Sequence, residues 1–112
     1  MALPAGRRDR RITIERAVET FNALNEGVKT WQGFAELWAE YRPLSVREQL
    51  QAAEVASEIT ASFRVLASKK ARAITPKDRI VWDRKIFDIA GIQPIGREGL
   101  EILAAARNDG GV

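Results

Sequence analysis

Period-two alternation, broken by one proline corner, constrains this chain more than any other feature. Ile59, Ala61, Phe63, Val65 and Ala67 alternate with Glu58, Thr60, Ser62 and Arg64. Successive side chains of a strand point to opposite faces, so this pattern demands one buried face and one wet one. Arg11–Arg16 repeats it, with Ile12 and Ile14 together. In Phe34–Tyr41 one face carries Ala35, Leu37, Ala39 and Tyr41, and the other Phe34 and Trp38. Apolar groups on both faces predict a strand covered on both sides. That run stops at Arg42-Pro43, because proline disfavours the helical region in the preceding residue and donates no ladder hydrogen bond. Ser45 and Glu48 then have the S-x-x-E spacing of a capping box. Val46, Leu50 and Ala53 follow at i, i+4 and i+7, which predicts one amphipathic helix over about 45–55.

The second half reads as short strands separated by turns. Thr75-Pro76-Lys77-Asp78 places proline at i+1 of a turn. Arg79–Trp82 and Lys85–Ile92 are predicted strands around Asp83-Arg84, a reversal without the glycine that two-residue hairpins favour. Ile95–Gly99 is another turn. Ser68–Ala73, with Lys69, Lys70 and Arg72, reads as a basic, solvated turn region. Val18–Thr30 contains Asn22, Asn25-Glu26-Gly27 and scattered Phe21, Leu24 and Val28, and reads as a long hairpin connection. Connections of this length are uncommon in small domains and are often functional. Phe21, Asn22, Leu24 and Asn25 are therefore candidate partner-interface residues. Trp31 and Trp38 join them, because aromatics are enriched where interfaces concentrate their energy. Trp82 flanks a predicted buried strand and is assigned to the core.

The fold class is accordingly mainly β: a small antiparallel β-barrel or sandwich of five to seven strands with one inserted α-helix. Closing such a sheet hides its edges. Residues 1–8 are expected to form a flexible basic arm, 9–107 a single domain and 108–112 a flexible tail.

The chain has 112 residues, no cysteine and no histidine. That removes disulfides, thiolate chemistry, the usual zinc ligand sets and histidine acid–base catalysis together. No Gly-rich phosphate loop or D-x-D pattern occurs, so neither an enzymatic role nor a cofactor or metal is expected. No apolar run approaches the roughly 18 residues a membrane helix needs. The start lacks a signal-peptide apolar stretch, so synthesis in the cytoplasm is expected. The net charge is +3, with Arg7, Arg8, Arg10, Arg11 and Arg16 near the front. Arg7, Arg8, Arg10 and Arg11 are candidates for proximity to DNA phosphates, against the alternative of a solvated tail.

The order of short motifs adds a resemblance. W-A-E-x-R-P-L-S-x-R-E (Trp38 to Glu48) precedes T-A-S-F-R-V (Thr60–Val65), I-T-P-K-D-R-I (Ile74–Ile80) and K-I-F-D-I-A-G-I (Lys85–Ile92). Over about Arg10 to Arg107 this series resembles the head-tail joining proteins of long-tailed phages and prophages, also called head-tail adaptor, head completion or stopper proteins. The resemblance implies a homo-oligomeric ring at the head-tail joint of the virion. A portal or adaptor complex would lie on the head side, a tail or tail-terminator protein on the other, and packaged DNA nearby. It also implies a closing strand at 100–107, with Leu100 and Ile102 inward, where composition alone favours helix. Ring contacts are heterologous, so two different patches of one surface must be complementary. Val18–Thr30 and the exposed side of the Phe34/Trp38 strand are the candidate patches.

Two further readings stand beside this one. A small tail-terminator-like ring protein would share the β-rich ring architecture. A small β-barrel nucleic-acid-binding protein would use the basic front, although the strands do not interleave aromatic and basic residues on one face as stacking platforms do.

Overall fold

The computed structural model describes residues 9–45, 47–48 and 59–107. The alternating segments form six strands: β1 (Arg10–Phe21), β2 (Gly27–Pro43), β3 (Ala61–Leu66), β4 (Arg79–Trp82), β5 (Lys85–Ile95) and β6 (Gly99–Ala106). They close into a barrel in the order β1-β2-β3-β6-β5-β4, with every neighbouring pair antiparallel. Closure between β1 and β4 rests on three pairs, Thr13–Val81, Ile14–Ile80 and Glu15–Arg79.

The inward set follows the alternation. Ile12, Ile14, Ala39, Ala61, Phe63, Val65, Ile80, Phe87, Ile102 and Ala104 are buried and form one core. Tyr41, Phe63, Trp82 and Phe87 gather within it, with Tyr41–Trp82 ring centroids 4.6 Å apart and Phe63–Phe87 5.1 Å apart. Tilted and edge-on arrangements of this kind suit aromatic quadrupoles. The last segment is a strand, with Leu100 and Ile102 packed inward as the resemblance implied. Pairing with β3 on one side and β5 on the other overrides the helix preference of its alanines.

Local chemistry sets the connections. Asp83 and Arg84 both have positive φ, 53° and 61°, which gives the type I′ pattern that matches strand twist. Asp78 N–H donates to Thr75 O at 3.0 Å, closing the proline turn. At the other corner Ser45 and Glu48 form the reciprocal capping box, each backbone N–H donating to the other's side chain at 3.1 and 3.2 Å. Arg47 and Glu48 are helical. The rest of the predicted helix, with Val46, Leu50 and Ala53, lies outside the described residues. So do the expected arm at 1–8, with Arg7 and Arg8, and the tail at 108–112.

Two expectations are corrected. Ser68–Ala73 is not simply a turn. It holds a short helix, α1 (Lys69–Arg72), whose N-cap Ser68 accepts from the Ala71 amide at 3.1 Å and which buries Ala71. Val18–Thr30 is not a loop either. β1 and β2 stay paired out to Phe21–Gly27, and only Asn22–Glu26 turns.

Candidate interaction surface: a projecting hairpin finger

Past Glu15 the β1–β2 pair leaves the barrel. β4 pairs with β1 only as far as Glu15, and β3 meets β2 only from Ala39. Arg16–Phe21 and Gly27–Gln32 therefore make a two-stranded finger paired on its inner seam alone, within a molecule measuring 51 × 31 × 24 Å. At roughly 3.3 Å per residue the finger extends about 20 Å. A register shift between Ile14 and Glu15 sets Gly33 and Ala35 against them and leaves Phe34 as the extra residue of a bulge. Bulges bend and twist a strand pair, which suits the point where this ribbon departs.

An isolated hairpin is marginally stable in water, so the root needs support. On one side Arg16 donates to both carboxylate oxygens of Asp78 at 3.0 Å and to Ala73 O at 2.8 Å, and its guanidinium lies 3.8 Å from the Phe34 ring centroid. Lys70 of α1 covers the same ring at 4.6 Å and reaches Phe34 O. On the other side Arg79 pairs with Glu15 at 2.7 Å and lies over Trp31 at 4.1 Å, with Lys29 and Arg107 also near that ring. The finger is thus wedged from both faces by cations resting on aromatic rings. A cleft of about 690 Å³ separates it from the 73–78 segment, lined by Arg16, Glu19, Lys29, Thr75, Lys77 and Asp78 among others.

Electrostatics agrees with the geometry. Burial pushes the Asp78 carboxyl up, but hydrogen bonds from Arg16 and the Thr75 amide outweigh it and hold the group below the usual carboxylate range. The bond to Asp78 raises Arg16 above its ordinary value. Glu101, on the outer face of β6, behaves like Asp78. Burial opposes its ionisation, and bonds from Ser62 at 2.8 Å, Gln93 at 2.6 Å and Arg64 at 3.1 Å prevail. At the β2 corner the Ser45 amide and hydroxyl, then Arg42, lower Glu48. Among the described residues no group of three or more His, Cys, Asp or Glu side chains is arranged to hold a metal ion. No helix among them is long and apolar enough to cross a membrane.

The tip is built by Asn22. Its side-chain oxygen accepts from the Leu24 and Glu26 amides at 2.9 and 3.0 Å, and Asn25 takes positive φ of 60°. Phe21 and Leu24 are left 66% and 79% exposed, with Val28 beside them. The six candidate interface residues therefore divide among different tasks. Phe21 and Leu24 are exposed apolar groups, Asn22 and Asn25 shape the turn, and Trp31 sits under cations at the root. Trp38 is on the barrel's outer wall, 52% exposed, with Arg11 at 5.3 Å over its ring. Ala39 and Val65 pair inward, so Trp38 and Leu66 fall opposite one another on the outside. Of the candidate DNA-proximal arginines, Arg10 pairs with Asp9 and Arg11 with Glu36, all on the exposed surface.

Sequence reasoning missed Asp78, Arg79, Glu15 and Leu66 as parts of this surface. The Arg16–Asp78 pair spans 62 positions and the Arg79–Glu15 pair 64, which no local pattern reports. Aromatic and basic residues do not interleave along any strand, yet tertiary packing interleaves them around Trp31 and Phe34.

Comparison with known proteins places this architecture. A family model for the phage head completion protein matches residues 3–107. Among solved structures, the solution structure of protein SF1141 from Shigella flexneri 2a is similar, with a TM-score of 0.71 and 26% identity. The match covers 96% of this chain and 99% of that one. A chain in the virion of the native gene transfer agent particle has a TM-score of 0.59 and 24% identity, over 86% of this chain and 91% of its own, and shares the fold. No curated protein matches the chain significantly.

Proposed function

This chain belongs to the phage head completion protein family, and from that premise we propose that it is a subunit of the ring at the head-tail joint of a long-tailed phage or phage-like particle. Its role is structural and its place is the virion. In this reading copies of the chain sit between a portal or adaptor complex and the tail or tail-terminator protein, completing the DNA-filled head. The mechanism is assembly: surfaces dock, and no bond is made or broken. The family match across nearly the whole chain carries the proposal. The finger supports it, because a clamped projection with an apolar tip is a docking element that costs little entropy to fix on binding.

DNA proximity in this reading falls to Arg7, Arg8, Arg10 and Arg11. The cations around Trp31 and Phe34 do not favour a general nucleic-acid-binding role, because Arg16, Arg79 and Arg107 already pair with Asp78, Glu15 and Asp88.

The test is to assemble particles without this chain and follow DNA-filled heads and tail attachment, then add the purified protein. Recovery of both is the expected result. Heads that keep their DNA and join tails equally well without it overturn the reading. Changing the four front arginines to Gln should make DNA retention fall more steeply as salt rises.

A further inference from the structure

The short β4 leaves one side of the finger bare. β4 ends against β1 at Glu15, and among the described residues nothing pairs with Arg16–Phe21 on that side. Two side chains show which way the free groups point. The Thr30 hydroxyl donates to Val18 O at 3.2 Å and the Thr20 hydroxyl to Val28 O at 3.3 Å, each from the opposite strand. Those carbonyls therefore point across the ribbon. Residues of an antiparallel strand alternate the side to which they bond, so the amides and carbonyls of Ala17, Glu19 and Phe21 point outward.

This edge borders the cleft of about 690 Å³. Ala17 and Glu19 line it from the ribbon, and Ala73, Thr75, Lys77 and Asp78 from the barrel. Arg16 and Asp78 meet at its root and neutralise each other. Glu19 lies back against Gly27, where even a Cβ would collide with its carboxylate. The barrel-side wall belongs to a stretch, 68–77, that holds Lys69, Lys70, Arg72 and Lys77 and no carboxylate. Among the described residues none of these four cations stands in an ion pair. One side of the cleft thus offers a row of backbone donors and acceptors, and the other offers positive charge.

An extended polypeptide matches such a row, because its own donors and acceptors alternate at strand spacing. A phosphate backbone supplies acceptors alone and gives the outward carbonyls nothing. We infer that the Arg16–Phe21 edge takes up an acidic, extended segment of a partner protein as an added strand, in line with β4 and beside the 68–77 wall. Main-chain bonds hold the segment, and Lys77 and its neighbours select for its carboxylates. The contact deepens the head-tail reading by giving the chemistry of one neighbour, and it rests on that reading only for where the segment comes from.

The probe is a synthetic peptide of alternating Glu and Val, about six residues long, the usual length of a strand. At millimolar peptide the Ala17, Glu19 and Phe21 amides of the full chain should exchange hydrogen several-fold more slowly. Those of Val18 and Thr20, already bonded within the ribbon, should not change. Lys77→Glu, at an exposed position, should weaken the effect several-fold, and a Lys/Val peptide should not produce it. Glu19→Pro removes one outward N–H and spares the inner seam, the kind of edge position where strands accept proline. With circular dichroism unchanged, it should abolish the slowing at Ala17 and Phe21. No slowing with the Glu/Val peptide, equal slowing with the Lys/Val peptide or in Lys77→Glu, or equal slowing at Val18 and Thr20 overturns the added strand. Slowing by a short single-stranded DNA and not by the peptide also overturns it, and assigns the cleft to nucleic acid. The head-tail reading is judged separately, by whether unaltered chain restores DNA-filled heads. Restoration without peptide protection removes this contact and leaves the function, and protection without restoration does the reverse.

Discussion

Arg16 and Asp78 meet through two parallel hydrogen bonds of 3.0 Å, joining the first residue of the finger to the proline turn ahead of β4. Two-point arginine–carboxylate bonding fixes direction as well as adding energy. Asp78 also accepts from the Thr75 amide, and its side chain is 1% exposed while that of Arg16 is 38% exposed. The pair ties a solvent-facing ribbon to a buried acceptor.

Asp78→Asn should therefore lower stability by about 1–2 kcal/mol, because one arginine bond and the Thr75 bond weaken while Arg16 regains water. Urea unfolding measures the loss. Hydrogen exchange of the Ala17–Thr20 amides should quicken more than that of β6. Equal quickening in both would mean that Asp78 supports the barrel generally and not the finger.

Acid sensitivity follows from Asp78 and Glu101. Burial acts against ionisation at each, yet hydrogen bonds keep both folded-state values below the ordinary 3.8 and 4.5. The unfolded chain thus takes up protons first, so their contribution is full above the ordinary carboxylate range and fades as pH falls through it. The melting temperature should be nearly flat from about pH 7 to 5 and fall below about pH 4.5. A double Asp78→Asn, Glu101→Gln variant should start lower and show a shallower decline. The same acid slope in that variant would assign the effect to other carboxylates.

Phe63→Ala should cost about 3–5 kcal/mol. Phe63 is fully buried at the centre of β3, where its ring meets Tyr41, Trp82 and Phe87. Thermal or urea unfolding is the measurement, and a loss under about 1 kcal/mol would contradict its place in the core.

Arg84→Gly should stabilise the protein, by up to about 1 kcal/mol. Arg84 holds φ of 61°, a left-handed conformation that costs a side-chain-bearing residue about 1–2 kcal/mol and glycine nothing, offset in part by glycine's larger unfolded-state entropy. A melting temperature that falls would show that the arginine side chain contributes more than its backbone costs.

Replacing Thr20–Val28 by Asn-Gly should shorten the finger without unfolding the barrel. Glu19 and Lys29 already face each other, and none of the removed residues is in the core. Circular dichroism should be kept and head-tail joining lost. Joining at the unaltered level would remove the tip from the docking surface.

Where the sequence was informative, one residue's neighbours along the chain carried the signal. Ile12/Ile14 and Ala61/Phe63/Val65 announced their faces because a half-buried strand must alternate, and Ser45–Glu48 announced a helix start because capping is local. Val18–Thr30 reads as a loop because its apolar residues, Val18, Phe21, Leu24 and Val28, follow no period of two. A ribbon bathed in water on both faces has no hydrophobic period to display. The exposed Leu66 was hidden for the opposite reason, since its partner Trp38 arrives from another strand. The Lys69–Arg72 helix is a single turn, too short for any periodic pattern.

The narrow seam between β1 and β4 has a mechanical consequence. A pull at the finger tip acts through a lever of about 20 Å whose fulcrum is the bulge at Ile14 and Glu15. Three backbone pairs would peel apart one after another under such torque. Arg16–Asp78 and Glu15–Arg79 straddle that fulcrum and bind the lever to the start of β4 and the turn before it. Force arriving at the tip is thereby shared between two ionic struts and passed into the barrel wall as a whole, so the projection behaves as a stiff spoke.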